Sequence, residues 1–251
     1  MPEPPHTYFI SALLPLLPRV GPGTRVPSPR LPFAHRPSLP LPSHTMPRSI
    51  FILGDSISIQ YGPFLQQALE GFADVSRKSG LEEALQDLNR AQGANGGDSR
   101  DCRQYLQEML RARALHPDLF LLNCGLHDIK CKTGARQTQV PPDAYRANLQ
   151  AILQLLSDAA IPLVWIRTTP VDEAKHNVAA NDIWRWSADV DRYNAIADEV
   201  MRKAHIAIID LHGYTSGLGQ ELTSDGRHFP ESIQRLQAAF LAGWVQCYLA
   251  H

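Results

Sequence analysis

The sequence is poor in cysteine, and its cysteines are not spaced like metal ligands. Among 251 residues there are four, at Cys102, Cys124, Cys131 and Cys247, and no two of them form a CxxC pair. Structural zinc sites usually contain such pairs, and small secreted domains depend on dense disulfide frameworks. We therefore expect no structural metal ion and no disulfide scaffold, and we expect the thiols to be reduced and mostly buried.

Long apolar segments are also lacking, so no membrane span is expected. The most apolar stretch near the N-terminus, residues 8–18, has no basic residue before it, contains Pro15 and lacks a persuasive cleavage site. It is a poor signal peptide. Together with the unpaired cysteines, this favours a cytoplasmic protein.

The first 48 residues lack lysine and contain a single acidic residue, Glu3, but hold 13 of the 20 prolines. A segment of this composition cannot bury a core, so residues 1–48 are expected to be a disordered tail. Because Met46 lies just before the first predicted strand, we favour translation from Met46, in which case the tail is not native. Residues 49–251 then form one domain. Its net charge of −5, from 19 basic and 24 acidic residues, argues against a nucleic-acid partner.

Short apolar runs alternate with helical patterns throughout this domain. Strands are predicted at residues 50–54, 118–125, 162–170 and 206–210, with a weaker edge strand at 71–78. Apolar residues recur at helical spacing over 145–156, 193–204 and 233–244. This order predicts an α/β fold with a mostly parallel, doubly wound sheet that is covered on both faces.

Ser56 follows the first predicted strand, in the stretch Gly54-Asp55-Ser56, and precedes a helix expected to begin near Gln60. Ligands of doubly wound sheets bind beyond the carboxyl ends of the strands, so the Ser56 hydroxyl should face that crevice. A serine at this position suits a nucleophile beside a helix N-terminus. Taken alone, the pattern favours a turn and N-cap serine over a nucleophile.

A second group of polar residues, Asp225 and His228, lies just before the last predicted helix. A histidine that is oriented by a carboxylate is the usual base for a serine nucleophile. The alternative is a capping loop with a surface histidine. His212, which follows the strand at 206–210, is a rival base.

Four sequence blocks resemble those of the SGNH, or GDSL-like, hydrolase family and occur in the same order along the chain. They are FILGDSIS at 51–58, GANGGDSR at 93–100, LLNCGLHD at 121–128 and SDGRHF at 224–229. The resemblance covers residues 49–249 and implies a flavodoxin-like three-layer α/β/α sandwich in which 49–251 is the catalytic domain. It implies Ser56 as nucleophile, His228 as base and Asp225 as the carboxylate that orients it. It also implies an oxyanion hole with the Ser56 and Gly97 backbone amides, and no cofactor.

One block departs from the family pattern, because His127 stands where the GxND block has asparagine. In the family that asparagine gives a third oxyanion-hole donor. Histidine can also donate through a ring N–H, with a charge if protonated, so we predict that His127 replaces it. The alternatives are that His127 packs away from the site or that Asn123 compensates; a structural role at the strand end is favoured for Asn123.

Substrate-binding candidates are fewer. Asp55 is next to Ser56, and Trp184 and Trp186 lie in the long connection 171–194, where they could form an aromatic platform; packing against the domain is slightly favoured for them. Basic residues after GLHD could attract an anionic group, although a solvated face is favoured; these are Lys130, Lys132 and Arg136. Capping or loop roles are expected for four more residues: Asp98, Ser99, Asp128 and Asp210.

The expected function is a serine esterase that acts on a small-molecule or carbohydrate ester with a short acyl group, acetyl being the first candidate. An O-acyltransferase of the same architecture and a catalytically silent ligand-binding domain are the alternatives. The retention of serine, aspartate and histidine together argues against the silent domain.

Overall fold

The computed structural model describes residues 48–178, 180–219 and 221–250. The predicted tail therefore lies outside the described residues, except for Arg48, which begins the first strand. The elements in chain order are β1 (Arg48–Leu53), α1 (Ser56–Ala68), β2 (Ala73–Arg77), α2 (Leu81–Gln86), α3 (Ser99–Arg111), β3 (Leu119–Leu122), β4 (Cys131–Lys132), α4 (Pro142–Asp158), β5 (Leu163–Ile166), α5 (Glu173–His176), β6 (Ile183–Trp184), α6 (Ser187–Lys203), β7 (Ala207–Ile209), α7 (Leu211–Ser216) and α8 (Glu231–Leu249).

Five strands form one parallel sheet in the order β2-β1-β3-β5-β7. Counting only these strands along the chain, the order is 2-1-3-4-5, which is the flavodoxin-like arrangement. The predicted α/β fold is confirmed, as is the edge position of the strand within 71–78. β3 and β5 are buried at every residue, which explains why their sequences are continuous apolar runs rather than alternating ones.

Two groups of helices cover the sheet. α1 packs on α8, and α4 packs on both α3 and α6. Because crossovers between parallel strands are right-handed, the reversal of strand order at β1 puts α1 on the face opposite α3, α4 and α6. Within the described ranges, no helix has both the length and the apolar character needed to cross a membrane.

The largest difference from the sequence prediction is in the connection from β5 to α6. It contains the short helix α5 and the strand β6, and β6 pairs antiparallel with β4 to form a separate two-stranded sheet. β4 and β6 have two residues each, too few for a periodic pattern to reveal. This small sheet ties the loop after β3 to the long connection, so both border the carboxyl edge of the main sheet.

Candidate active site

Ser56 is the first residue of α1, four residues earlier than the helix start expected near Gln60. The earlier start is explained by Asp55, whose Oδ1 accepts a hydrogen bond of 2.9 Å from the Ile57 N–H and so caps the helix. As the first helical residue, Ser56 has a backbone N–H with no carbonyl partner inside the helix. Its hydroxyl and its amide therefore both lie where β1 ends.

The structure brings Ser56, His228 and Asp225 together in one chain of hydrogen bonds. Ser56 Oγ lies 2.9 Å from His228 Nε2, and His228 Nδ1 lies 2.7 Å from Asp225 Oδ2. Asp225 Oδ1 also accepts from the His228 backbone N–H at 2.8 Å. Burial alone would raise the pKa of Asp225, but the bonds from His228 hold it well below its usual range. The carboxylate is therefore ionised and can fix the ring orientation and tautomer of His228.

The loop that carries Asp225 and His228 is held from two sides. Gln60 of α1 donates to the Phe229 carbonyl at 3.2 Å and accepts from the Phe229 N–H at 3.3 Å. On the other side the Gly226 carbonyl accepts from the Asp172 N–H at 2.7 Å. Gly226 has φ +88°, and a Cβ there would lie 2.6 Å from His176 Cβ, so this close approach requires glycine.

The Gly97 amide already has a partner. Its N–H donates to Asn95 Oδ1 at 3.0 Å, a bond that the sequence analysis did not anticipate. Gly97 also has φ +70°, which turns the chain into α3 just after it, where Asp98 is the N-cap. As an oxyanion donor, Gly97 would have to share its N–H with Asn95. The capping role predicted for Asp98 is confirmed, and Ser99 is the first residue of α3.

His127 is buried, and its Nδ1 lies 2.8 Å from Lys130 Nζ. Burial and then the nearby Lys130 charge lower the pKa of His127 well below its ordinary value. An ammonium group can only donate, so Nδ1 accepts and the neutral ring carries its hydrogen on Nε2. His127 therefore does not carry the charge considered in the sequence analysis. The solvated face favoured for Lys130 is wrong, because this lysine turns inward to the ring.

Asp128 links the two loops at this edge of the sheet. Both of its carboxyl oxygens accept from the Ser99 N–H, at 3.0 and 3.1 Å. Asn148 of α4 donates to Ser99 Oγ at 2.9 Å, which completes a buried brace. Burial raises the pKa of Asp128 to about 8, although the bonds from Ser99 oppose this shift. The brace connects the GLHD loop to the start of α3, two residues after Gly97.

Asp55 is fully buried beside Ser56 and acts as the N-cap of α1. Burial raises its pKa, opposed by the bond from Ile57 and by the charges of Arg185, His228 and Lys130. Its second oxygen, Oδ2, has no hydrogen-bond partner in the described part of the chain. The substrate-binding role predicted for Asp55 stays a prediction.

The two candidate tryptophans pack on each other and on nearby loops. Their rings meet edge to face, with centroids 5.7 Å apart, and the guanidinium of Arg136 stacks on Trp186. Their ring N–H groups donate to backbone carbonyls, from Trp184 to Val178 and from Trp186 to Ala135. The packing interpretation accounts for these contacts, and a role in binding substrate stays a prediction.

Three further candidates have structural partners. Asn123 donates to the Ile166 carbonyl of the neighbouring strand at 2.8 Å, as the structural interpretation expects. Asp210 caps α7 and pairs with Arg167. His212 lies 3.8 Å from Asp191, whereas His228 is the histidine that contacts Ser56. His212 is therefore not placed as the base.

Sequence reasoning missed two buried arginines beside the acid–base loop. Arg185 is only 2% exposed; its Nε donates to the Leu126 carbonyl at 2.6 Å, and its Nη1 lies 2.8 Å from His176 Nε2. Arg227 Nη1 lies 3.2 Å from the same nitrogen. Both line a cavity of about 320 Å³ together with Asp225. The only sequence signal was the position of Arg227 inside the SDGRHF block.

Among the residues that the structure describes, no group of three or more metal-ligating side chains comes together. The four cysteines are unpaired, with Cys102, Cys124 and Cys131 buried and Cys247 exposed. The constellation that remains is a serine, a histidine and a carboxylate, with N–H donors nearby. Such a set can form and hydrolyse an acyl intermediate.

The sequence model of the GDSL-like Lipase/Acylhydrolase family matches residues 52–236, which is most of the chain. The chain belongs to this family. Membership of this family supports the prediction that the protein is a hydrolase acting on ester bonds. The matched range of this GDSL-like protein begins in β1 and covers all four sequence blocks except Phe51, the first residue of the first block. A comparison with curated proteins found none that matches the sequence.

Solved structures of GDSL-like and related enzymes share the fold at low sequence identity. The acetyl xylan esterase AlAXEase is 17% identical and superposes with a TM-score of 0.58, covering 78% of this chain and 99% of its own. The lipase/acylhydrolase from Enterococcus faecalis is 16% identical, with a TM-score of 0.58 and coverage of 80% and 96%. The C-terminal catalytic domain of peptidoglycan O-acetyltransferase A from Streptococcus pneumoniae is 16% identical, with a TM-score of 0.52 and coverage of 80% and 94%.

Proposed function

We propose that this GDSL-like protein is a serine esterase that hydrolyses carboxylic esters through an acyl-enzyme on Ser56. The observation that carries the proposal is the hydrogen-bonded chain from Ser56 Oγ to His228 Nε2 and from His228 Nδ1 to Asp225 Oδ2, at 2.9 and 2.7 Å. A serine hydroxyl is a weak nucleophile unless a base accepts its proton. Here the base is in contact and its tautomer is fixed by an ionised carboxylate.

The reaction proceeds in two halves. Ser56 Oγ attacks the ester carbonyl carbon while its proton passes to His228 Nε2. The tetrahedral intermediate then collapses, the C–O bond to the alcohol breaks, and His228 returns the proton to the departing oxygen. In the second half water attacks the acyl-enzyme with His228 again as base, and release of the acid restores Ser56. Asp225 stays ionised throughout and stabilises the imidazolium.

The developing oxyanion is held by N–H donors beyond the end of β1. The Ser56 amide is one, because helix geometry leaves it without a carbonyl partner. His127 is the second, through the Nε2–H that Lys130 enforces by occupying Nδ1. Gly97 is the third, and its N–H is shared between Asn95 Oδ1 and the oxyanion. The loss of the family's asparagine is thus offset by a neutral histidine donor.

The described residues around the cavity beside the acid–base loop offer no apolar surface that could hold a long acyl chain. The cavity next to Asp225 is lined mainly by polar and charged side chains, and among its described lining residues only Ala180 and Ile183 are apolar. A long acyl chain needs a continuous apolar surface to gain binding energy. We propose acetyl and other short acyl groups on a small alcohol or carbohydrate as the substrate class.

The test uses the purified full-length chain with p-nitrophenyl esters from acetate to octanoate. We expect hydrolysis that is fastest with the shortest chains and is abolished in the Ser56→Ala variant. Circular dichroism and the melting temperature show whether the variant is folded. No turnover of any ester by the folded wild-type protein would contradict the esterase.

Competing alcohols distinguish an esterase from an O-acyltransferase, the class to which one of the similar structures belongs. With glycerol or a monosaccharide in the assay, an esterase releases mainly free acid. If the acyl group instead appears mainly on the added alcohol, the acceptor is not water and the protein is an acyltransferase of the same architecture.

A further inference from the structure

Two buried arginines share one histidine nitrogen on the wall of the cavity next to Asp225. Arg185 Nη1 and Arg227 Nη1 lie 2.8 and 3.2 Å from His176 Nε2. A guanidinium group only donates, so this nitrogen accepts from both. Burial, and then the charges of the two arginines, lower the pKa of His176 to about 4. The histidine is neutral near pH 7 and holds the two cations without adding charge.

Carboxylates balance this positive charge only in part. Arg227 Nε lies 3.9 Å from Asp225 Oδ2, but that oxygen is 2.7 Å from His228 Nδ1 and is already engaged there. Asp182 is exposed at the rim of the cavity. Asp55 is also buried, and its burial disfavours the ionised carboxylate. Two like charges out of water are costly unless an anion compensates them.

Each arginine also keeps a hydrogen-bond donor that no described residue of the chain uses. Arg185 donates from Nε to the Leu126 carbonyl and from Nη1 to His176, which leaves Nη2 without a partner among the described residues. Arg227 Nη2 likewise has none in that part of the chain. Both residues line the cavity of about 320 Å³. This volume is at the small end of ligand sites and suits one ring with its substituents.

We propose that this cavity binds a carboxylate on the alcohol part of the ester substrate, through the unused guanidinium nitrogens of Arg185 and Arg227. The alcohol part is chosen because Asp225 and Arg227 belong to the loop that carries His228, and His228 returns the proton to the leaving alcohol. The proposal rests on the proposed esterase function. It adds a substrate class, acylated hydroxy acids such as acidic sugars, that the triad does not specify.

The test compares two esters that differ in one substituent, which is a charged carboxylate in one and a neutral carboxamide in the other. 3-Acetoxybenzoate and 3-acetoxybenzamide have the same acyl group and similar phenol leaving groups, and their hydrolysis is followed by absorbance. We expect kcat/KM to be about ten- to a hundredfold higher for the carboxylate, the gain of one or two charge-assisted hydrogen bonds. Without an anion site, Asp182 and Asp225 would repel the carboxylate and the ratio would fall below one.

Substitutions of single arginines test whether the preference for the carboxylate ester arises in this cavity. Arg227→Gln should reduce the carboxylate-to-amide ratio about tenfold or more, while kcat/KM for the neutral amide changes much less. Arg136→Gln is the matched control: it removes one positive charge outside the cavity, on Trp186, and should leave the ratio unchanged. Equal loss in the ratio for both variants would show a general charge effect and would overturn the site. Arg185→Lys keeps the positive charge but loses the paired N–H donors of the guanidinium group, so it should reduce the ratio partially.

A binding measurement on an inactive variant tests the anion site separately from ester hydrolysis. Calorimetric titration of the folded Ser56→Ala protein with 3-hydroxybenzoate should show binding, and titration with 3-hydroxybenzamide should show at least tenfold weaker binding. Ser56-dependent hydrolysis of the neutral ester with no preference in either assay would overturn the anion site and leave the esterase standing. Carboxylate binding without hydrolysis of any ester would support the site and contradict the esterase.

Discussion

His127 is the residue at which this chain departs from its family pattern, and its chemistry depends on one neighbour. A free histidine would be an unreliable oxyanion donor near neutral pH, because its charge and tautomer vary. Here Lys130 Nζ contacts Nδ1, and burial disfavours the charged ring. Burial, together with Arg185 and Arg227, also lowers the pKa of Lys130 to about 8, so it is still largely protonated at neutral pH. The pair therefore presents a neutral ring with the hydrogen on Nε2.

Removing the ring should expose its contribution directly. We expect His127→Ala to lower kcat on short esters by about a hundredfold to a thousandfold, the usual loss for one oxyanion-hole donor, with a smaller change in KM. Steady-state kinetics beside the wild type measure this. Unchanged turnover in His127→Ala, with activity abolished in Ser56→Ala, would show that His127 only packs.

The effect of Lys130 on the tautomer of His127 can be measured by NMR, without an activity assay. In nitrogen-15 NMR spectra of histidine-labelled protein, His127 should be neutral with Nε2 protonated at pH 6.5, where an ordinary histidine is half charged. In Lys130→Met the hydrogen should exchange between both nitrogens, and kcat should fall about tenfold. Lys132→Met, which removes an exposed lysine nearby, is the control and should change neither result. A wild-type His127 that titrates near pH 6.5 would contradict the assignment.

At the scale of elements, the site is where three loops meet beyond β1 and β3. The reversal of strand order between these strands leaves a crevice at their carboxyl ends. α1 begins there with Ser56. Gln60, one turn further along the same helix, forms hydrogen bonds with the Phe229 backbone. The acid–base loop thus takes its position from the helix that carries the nucleophile. Gly226 allows that loop to pack closely on α5.

Gly226→Ala should damage activity by displacing this loop. A Cβ at position 226 would lie 2.6 Å from the Asp172 carbonyl oxygen, and φ is +88°. We expect at least a tenfold loss of kcat, because Asp225 and His228 flank the displaced backbone. Gly134→Ala is the matched control, with φ +76° and no atom within 4 Å of the added carbon. If the two variants lost activity equally, backbone strain rather than loop displacement would be the cause.

The strands of the main sheet and the long helices were predictable because local sequence determines them, and Ser56, Asp225 and His228 could be chosen as candidates from their sequence blocks. β3 is apolar at every residue, and Ser56, Asp225 and His228 each lie in a short block whose chemistry is visible in order. Arg185 was not predictable, because its partner Leu126 is 59 residues away. Its flanking tryptophans drew attention, yet the charged residue between them is the buried one. Contacts of this kind depend on the fold and leave no periodic signal.

At the scale of the whole molecule, the buried brace at Asp128 couples stability to pH. Its pKa is about 8 in the folded protein, against an ordinary 3.8. Between these values the unfolded chain has lost the proton and the folded chain still holds it. Stability therefore falls as pH rises through this interval, by at most about 1.4 kcal/mol per pH unit from this group.

Asp128→Asn tests this coupling, because asparagine keeps a carbonyl oxygen to accept from the Ser99 N–H but does not titrate. We expect the melting temperature of the wild type, relative to the variant, to fall between pH 5 and pH 8. Thermal denaturation in buffers of constant ionic strength measures the difference. A difference that is independent of pH would mean that Asp128 is already ionised in the folded protein.

The proposed reaction passes through a covalent acyl-enzyme on Ser56, which rapid-quench mass spectrometry can detect directly. The wild-type protein is mixed with p-nitrophenyl acetate, quenched in acid within the first turnovers, and digested. We expect one acetyl group on the peptide that contains Ser56, and none on the Ser56→Ala protein. Hydrolysis without any acetylated peptide, or with acetyl on another residue, would contradict it.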